Sequence, residues 1–134
     1  MLNPQQFTHK SQEALQHANR IAQENNQPQI EPPHLFSALL KQEDGIVVSL
    51  LKQLDISIEV ISAHTHDLVA ALPKQFGPSP GNGGQILMGQ AMMYVLQNAH
   101  TESKKMGDSF ISVEHLLLAY IQNKNPISDI LIAE

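Results

Sequence analysis

The residues best suited to metal chemistry lie in one short segment, His64-x-His66-Asp67. Imidazole and carboxylate groups are common metal ligands, so this segment raises the possibility of a metal site. Residues two apart on a helix, however, point about 200° away from each other. The two imidazoles could bind one ion only if the helix unwound, and we expect no metal site here.

The sequence also lacks the patterns that catalysis requires. Ser, Asp and His are present, but there is no Gly-x-Ser-x-Gly elbow or other spaced nucleophile–base pattern. A Gly-x-x-x-x-Gly-Lys-Ser/Thr phosphate loop is absent as well. The chain contains no Cys, which excludes disulfides, thiol nucleophiles and Cys-based zinc sites. We therefore expect a domain that is not itself an enzyme.

Composition narrows the possible partners and the location. The chain has eight Lys and Arg and a formal charge of −5, which does not favour a nucleic-acid-binding face. No stretch approaches the ~20 apolar residues of a membrane span. The lack of Cys suits a reducing compartment, so a cytoplasmic location is expected. Hydrophobic residues make up 42% and aromatics only 4%, which predicts an aliphatic core between helices.

Two further histidines, His34 and His115, lie in similar segments that are 81 residues apart, Ile-Glu-Pro-Pro-His-Leu and Ile-Ser-Val-Glu-His-Leu. The same shift of 81 maps other residues upstream onto one another: Leu15 onto Leu96, Gln16 onto Gln97 and Ala18 onto Ala99. Each copy is typical of a long helix, a turn and an apolar helix opened by a cap. One such unit cannot cover its own hydrophobic face. The sequence predicts an all-α fold in which two pseudo-symmetric repeats pack as a single bundle, with both histidines as packed structural residues.

Capping residues and apolar spacing predict the helix boundaries. Residues 1–134 are interpreted as one domain, with repeat one at about 7–72, a Pro- and Gly-rich linker at 73–88 and repeat two at about 89–134. No strand is predicted. The predicted helices have these signals: Thr8 caps helix 1, Pro32 opens helix 2, Ile46–Leu54 forms helix 3, Ser57 caps helix 4, helix 5 starts near Gly89 and ends at Gly107, Ser112 caps helix 6, and helix 7 follows Asn125-Pro126.

Three segments together resemble the N-terminal domain of the Clp family of AAA+ chaperones. They are Phe7-Thr8-x-Lys10-Ser11-Gln12-Glu13-Ala14-Leu15, Ile30-Glu31-Pro32-x-His34-Leu35 and Gly107-Asp108-x-Phe110-Ile111-Ser112-x-Glu114-His115-Leu116-Leu117-Leu118-Ala119. The opening segment and the linker are most similar to the ClpB branch, the protein disaggregases. One departure is Gly89, where the second repeat of the family often has a Ser or Thr cap, so the start of helix 5 is expected to be frayed or shifted.

The resemblance implies a fold and a role. The domain would be a two-repeat helical bundle, tethered above the pore of a ring that threads aggregated polypeptides with a DnaK-type partner chaperone. ATP and Mg would be bound only by AAA+ domains outside this chain, so no cofactor is expected here. The full-length protein is expected to be a hexamer and this fragment, which looks like a domain of a longer protein, a monomer.

The candidate polypeptide-binding residues are of two kinds. The resemblance implies that Thr8, Asp108 and Glu114 contribute to substrate handling, although helix capping and local hydrogen bonds explain them equally well. Met93 and Leu96 could form an adaptable apolar surface, because Met is flexible and polarisable. Met92 and Met93 are adjacent on helix 5, so one can be buried while the other is exposed. Core packing is the alternative for these methionines.

Three functions remain open. The first is a receptor for unfolded or aggregated polypeptide at a shallow apolar groove between the repeats. The second is an adaptor-binding domain, as in the ClpA and ClpC branches that serve a protease. The third is a free-standing helical protein that binds a small molecule or peptide.

Overall fold

The computed structural model describes residues 4–42, 45–74 and 87–122. A short 3-10 turn, Pro4–Gln6, precedes six α-helices in these residues: α1 (His9–Glu24), α2 (Pro32–Leu40), α3 (Ile46–Gln53), α4 (Ile58–Ala71), α5 (Gln90–Lys105) and α6 (Val113–Gln122). The predicted all-α fold class is confirmed. Helix 7 and positions 75–86 of the predicted linker lie outside the described residues.

The helices begin where the sequence places their caps. The Thr8 hydroxyl accepts a hydrogen bond from the Ser11 N–H at 3.2 Å, and Ser57 accepts one from the Val60 N–H at the same distance. Pro32 takes the first position of α2, where a missing N–H costs nothing. Local capping chemistry therefore decides these starts.

The long helices of the two repeats end in the same way. Asn26 and Gly107, 81 residues apart, follow α1 and α5 in the left-handed region with φ of 56° and 74°. The next residue then donates its N–H back to the helix at 2.9 Å, from Gln27 to the Ala22 carbonyl and from Asp108 to the Ser103 carbonyl. This reversal closes the helix end and turns the chain toward α2 or α6.

A small parallel sheet, which the sequence does not predict, joins the repeats. Strand β1 (Gln29–Ile30) pairs with β2 (Leu87–Met88), in the region assigned to the linker. An isolated parallel bridge between Phe7 and Ile111 is its counterpart in the other half. Each strand has only two residues, too few to show a period of two, so pattern analysis cannot detect it.

Two backbone hydrogen bonds show how the repeats are related. The Thr8 N–H donates to the Ile111 carbonyl at 3.0 Å, and the Gly89 N–H donates to the Ile30 carbonyl at 3.0 Å. Thr8 and Gly89 are equivalent by the shift of 81, and so are Ile30 and Ile111. The donor and the acceptor of one bond are therefore equivalent to those of the other, with the repeats exchanged. An operation that exchanges two halves is an approximate two-fold rotation, and this confirms the pseudo-symmetric bundle.

The second helix of each repeat forms the centre of the core. Helix α2 packs against α1, α3, α4 and α5, while α6 packs against α5 and α3. The core is mainly aliphatic as predicted, but its two largest fully buried side chains are the aromatic Phe36 and Tyr120. Their rings make an edge-to-face contact with centroids 5.2 Å apart. The Tyr120 hydroxyl donates to the Pro32 carbonyl at 2.6 Å, and burial raises the pKa of this phenol.

Candidate functional site

An apolar groove of about 470 Å³ runs along the seam between α1 and α5. Among the described residues, its wall combines large apolar side chains with neutral amides and has no charged side chain: Phe7, Gln12, Leu15, Gln16, Asn19, Ile30, Met88, Met93, Leu96 and Gln97. A mostly apolar concave surface with a few polar groups is typical of ligand sites. The groove therefore offers a place for an uncharged, apolar ligand.

Two of the predicted residues, Met93 and Leu96, line this groove. Met93 is 40% exposed and Leu96 only 6%, so Met93 forms part of the rim and Leu96 part of the floor. Met92 is fully buried in the core. The two adjacent methionines thus point to different environments, as expected for neighbours on a helix.

The polar side chains of the groove are all amides. The Gln12 Nε2 donates to the Phe7 carbonyl at 2.9 Å, which holds this side chain across the first turns of α1. The Asn19 Oδ1 is buried and has no hydrogen-bond partner among the described residues. A buried acceptor without a donor is costly, so this atom lowers the stability of the groove wall.

The predicted residues Thr8 and Glu114 lie on a second cavity of about 410 Å³, whose lining includes charged residues. It is lined by the first turns of α1 and α6 and by the start of α3: Thr8, His9, Lys10, Gln42, Gly45, Ile46, Ser112, Val113 and Glu114. Thr8 follows Phe7 directly, and the side chains of these neighbours line different cavities. The starts of α1 and α6, one from each repeat, therefore lie next to each other.

Asp108 lines neither cavity in the described structure but bonds to a buried histidine. Its Oδ2 is 2.8 Å from the Nε2 of His115, whose Nδ1 accepts the Ser112 N–H at 2.8 Å. Because Nδ1 accepts, the proton is on Nε2, which donates to the carboxylate. Asp108 is about half exposed, so one face of the carboxylate remains open to solvent. Its clearest role is to position His115 at the start of α6.

Repeat one contains the same device with an amide in place of the carboxylate. The His34 Nδ1 accepts the Glu31 N–H at 2.8 Å, and its Nε2 donates to Gln27 Oε1 at 2.5 Å. The Gln27 Nε2 in turn donates to the Val69 carbonyl at 2.6 Å, which links α4 to the turn that follows α1. Burial lowers the pKa of His34 to about 4. The interpretation of His34 and His115 as packed structural histidines is confirmed by their burial.

Glu31 occupies the space that a side chain at position 89 would fill. A Cβ built on Gly89 would lie about 2.2 Å from a carboxylate oxygen of Glu31. Burial raises the pKa of this carboxyl. The expected shift of helix 5 is not observed, because Gly89 is the N-cap of α5 as Thr8 is of α1. A carboxylate from the other repeat thus lies where the helix dipole favours negative charge.

Two variants separate the charge of Asp108 from its hydrogen bond. Asp108→Asn keeps an oxygen that can accept from His115, as Gln27 does for His34, and should change the free energy of unfolding by less than about 0.5 kcal/mol. Asp108→Ala removes the acceptor and should cost about 1 kcal/mol. Urea unfolding followed by circular dichroism measures both. Equal losses would show that the charge, not the hydrogen bond, stabilises this turn.

The described residues contain no group of three or more His, Asp or Glu that could hold a metal ion. His64 and His66 are both exposed on α4. None of the helices in the described part of the chain is long and apolar enough to cross a membrane.

Most groove residues other than Met93 and Leu96 were not candidates from the sequence. The available signal was the pair Gln16 and Gln97, which the repeat makes equivalent, together with Gln12 one turn before Gln16 on the same face of α1. Polar side chains on the side of a helix that meets the other repeat indicate a surface that is not fully closed. Asn19, Ile30 and Met88 join the groove only through packing.

Comparison with known proteins gives consistent results. Residues 6–133 match the family model of the Clp repeat (R) N-terminal domain. The chain is 38% identical over 118 residues to chaperone protein ClpB 2 of Nostoc sp., an alignment that covers 88% of this chain and 13% of that protein. The chain thus spans about one seventh of the length of such curated relatives.

Solved structures share the fold at lower identity. The N-terminal domain of Hsp104 from Candida albicans has a TM-score of 0.81 and 20% identity, with 95% of this chain and 80% of that chain covered. A ClpV N-domain in complex with a VipB peptide has a TM-score of 0.71 and 16% identity, covering 90% and 70% of the two chains. By its matched length, its ClpB relatives and its fold, this chain belongs to the Clp repeat N-terminal domain family.

Proposed function

We propose that this domain binds apolar segments of unfolded or aggregated polypeptide in the groove between α1 and α5. The observation that carries the proposal is the lining itself, whose described residues are apolar or carry amides and include no charged side chain. Apolar area becomes exposed when proteins unfold, and an uncharged groove accepts it without selecting for a charge pattern. The complex of a related ClpV N-domain with a peptide supports peptide binding by this fold.

Binding by a receptor of this kind must be weak. A client that is passed on to another part of the protein has to leave the groove, and tight binding would slow this step. The groove is also shallow enough for Met93 to remain 40% exposed. We expect a Kd in the micromolar range or above, which corresponds to about −8 kcal/mol or a less favourable free energy.

The role of the longer protein follows as part of the proposal. Full-length ClpB relatives extend far beyond the region matched here. We infer that a protein containing this domain is a cytoplasmic, ATP- and Mg-dependent disaggregase that forms a hexamer and works with a DnaK-type chaperone. In that setting the domain collects clients for the AAA+ ring and carries no catalytic residue of its own.

Substitution of Met93 by Glu tests the groove. A carboxylate at this rim would lose hydration whenever an apolar segment covers it, so Met93→Glu should weaken binding about tenfold or more. The client is reduced α-lactalbumin blocked with iodoacetamide, which stays unfolded and gains no charge from the block. NMR titration of the labelled domain measures the affinity and shows which amides shift.

The matched control is Tyr94→Glu. Tyr94 is the next residue on α5, is 64% exposed and does not line the groove. This variant carries the same added charge and should bind within about twofold of the wild type. If both variants lose binding equally, net charge rather than the groove governs the interaction and the proposed site is wrong.

Docking of a folded adaptor protein is a second candidate. The second cavity favours it, because its lining includes Lys10 and Glu114, and charged groups at an interface help to select a specific folded partner. The same titration separates the two functions. Shifts confined to the first turns of α1 and α6, with Met93→Glu unaffected, would support the adaptor and contradict the receptor.

A further inference from the structure

We propose that the groove binds an unfolded apolar segment in both chain directions, N-to-C and C-to-N, with similar affinity. This inference rests on the proposed function, because it describes how a client lies in the same groove. It follows from the position of the groove relative to the approximate two-fold axis.

The groove lies on that axis. Most of its lining consists of residues that the shift of 81 relates to each other, one from each repeat. The pairs are Phe7 with Met88, Gln12 with Met93, Leu15 with Leu96 and Gln16 with Gln97. A rotation that exchanges these residues maps the groove onto itself.

This position fixes the direction of the axis. The rotation must carry the floor of the groove to its floor and the mouth to its mouth, so the axis runs from floor to mouth. A segment that lies along the floor is perpendicular to the axis. The rotation turns such a segment end to end, and the reversed segment meets equivalent walls.

The side chains of the lining do not favour one chain direction of the bound segment over the other. Leucine and methionine side chains make contacts without orientation preference, and a Gln amide can both donate and accept. Gln16 and Gln97 can therefore each bond to a peptide N–H or C=O of the segment. A charged side chain at one end would distinguish the two directions, but the part of the chain that the structure describes places none in the lining. We expect the bound segment to be extended, because its backbone N–H and C=O groups are then free to bond to these amides. In a helix they already bond to each other.

The symmetry of the lining is broken at four places, which limits how similar the two affinities can be. Phe7 corresponds to Met88, and Ile30 corresponds to Ile111, which does not line the groove. Gln12 stands opposite Met93, and Asn19 of α1 corresponds to His100 of α5, which does not line the groove. The Gln12 amide, whose nitrogen donates to the Phe7 carbonyl, offers one amide oxygen as an acceptor on the α1 side, where Met93 offers none on the α5 side. One hydrogen bond changes a Kd by about two- to tenfold, so the two directions should differ by no more than that.

A peptide and its reversed sequence test the inference. A short acetylated and amidated peptide of Leu, Val, Ser and Gln would be titrated into the labelled domain, followed by the peptide with the same residues in reverse order. We expect Kd values within about tenfold of each other, and Met93→Glu should weaken both. In two further samples a spin label is placed at the N-terminal or the C-terminal end of one peptide. If both directions are populated, the two labels broaden the same set of groove amides.

The possible results are distinct. A Kd ratio above about tenfold, or different broadening patterns for the two labels, would overturn the inference while the receptor function stands. If neither peptide shifts the groove amides and unfolded α-lactalbumin also fails to do so, the proposed function itself is wrong and the inference falls with it.

Discussion

Substitution of Phe36 by Ala should lower the free energy of unfolding by about 3–5 kcal/mol. Phe36 is fully buried on α2, the helix that packs against α1, α3, α4 and α5. Its ring also contacts Tyr120 of the other repeat, at an angle of 71°. Truncation therefore leaves a cavity where the two repeats meet, and the rigid elements around it cannot collapse to fill it. Urea unfolding of the two proteins at neutral pH measures the difference.

Tyr120→Phe is the matched control for this contact. It keeps the ring pair with Phe36 and removes only the hydroxyl that donates to the Pro32 carbonyl. The hydrogen bond between the repeats is then lost, and the expected cost is about 1–2 kcal/mol. A loss from Phe36→Ala that is no larger than the loss from Tyr120→Phe would contradict a central packing role for Phe36.

Acidification should destabilise the domain through His34. The pKa of this histidine is about 4 in the folded state and about 6.5 when exposed, so the unfolded chain takes up the proton first as the pH falls. The stability that the neutral imidazole provides is complete above about pH 6.5 and is lost progressively down to about pH 4. These two pKa values correspond to a loss of about 3 kcal/mol.

The structural reason is the fixed direction of the hydrogen bonds around this ring. The Nδ1 accepts from the Glu31 N–H, so a proton added there would face another donor in a fully buried site. Burial raises the pKa of the Glu31 carboxyl, an effect of opposite sign that stabilises the folded state at low pH. Burial also lowers the pKa of His17, so comparison with a variant at position 34 is needed to assign the pH dependence to His34.

His34→Gln should remove this pH dependence. A Gln at this third helical position can still accept the N-cap N–H in the manner of a capping box, so α2 should form. The variant is expected to be about 1–2 kcal/mol less stable at neutral pH, because Gln27 loses its donor. His66→Gln, which removes an exposed imidazole of α4, should keep the wild-type slope. An unchanged slope in His34→Gln would show that another group causes the acid sensitivity.

The sequence predicted part of the candidate site. Met93 and Leu96 line the groove as an apolar surface on helix 5 was expected to, and Thr8 and Glu114 share a cavity. Asp108 lies apart from both, since its carboxylate binds His115. Whether these five residues bind polypeptide stays a prediction. The amides of Gln12, Gln16 and Asn19 were not candidates, because nothing in α1 alone indicates that this face meets an open seam.

Features that depend on interactions between neighbours in the chain could be predicted from the sequence, and features that depend on contacts between the repeats could not. Residue types alone were enough to predict the helix starts at Thr8, Pro32 and Ser57 and the reversal at Gly107, because these depend on neighbours in the chain. The duplication over 81 residues is likewise visible in the sequence itself. The two-residue strands, the carboxylate of Glu31 over Gly89 and the groove arise where one repeat meets the other. These contacts join residues far apart in the chain, and their geometry depends on how two twofold-related surfaces pack, which no local pattern encodes.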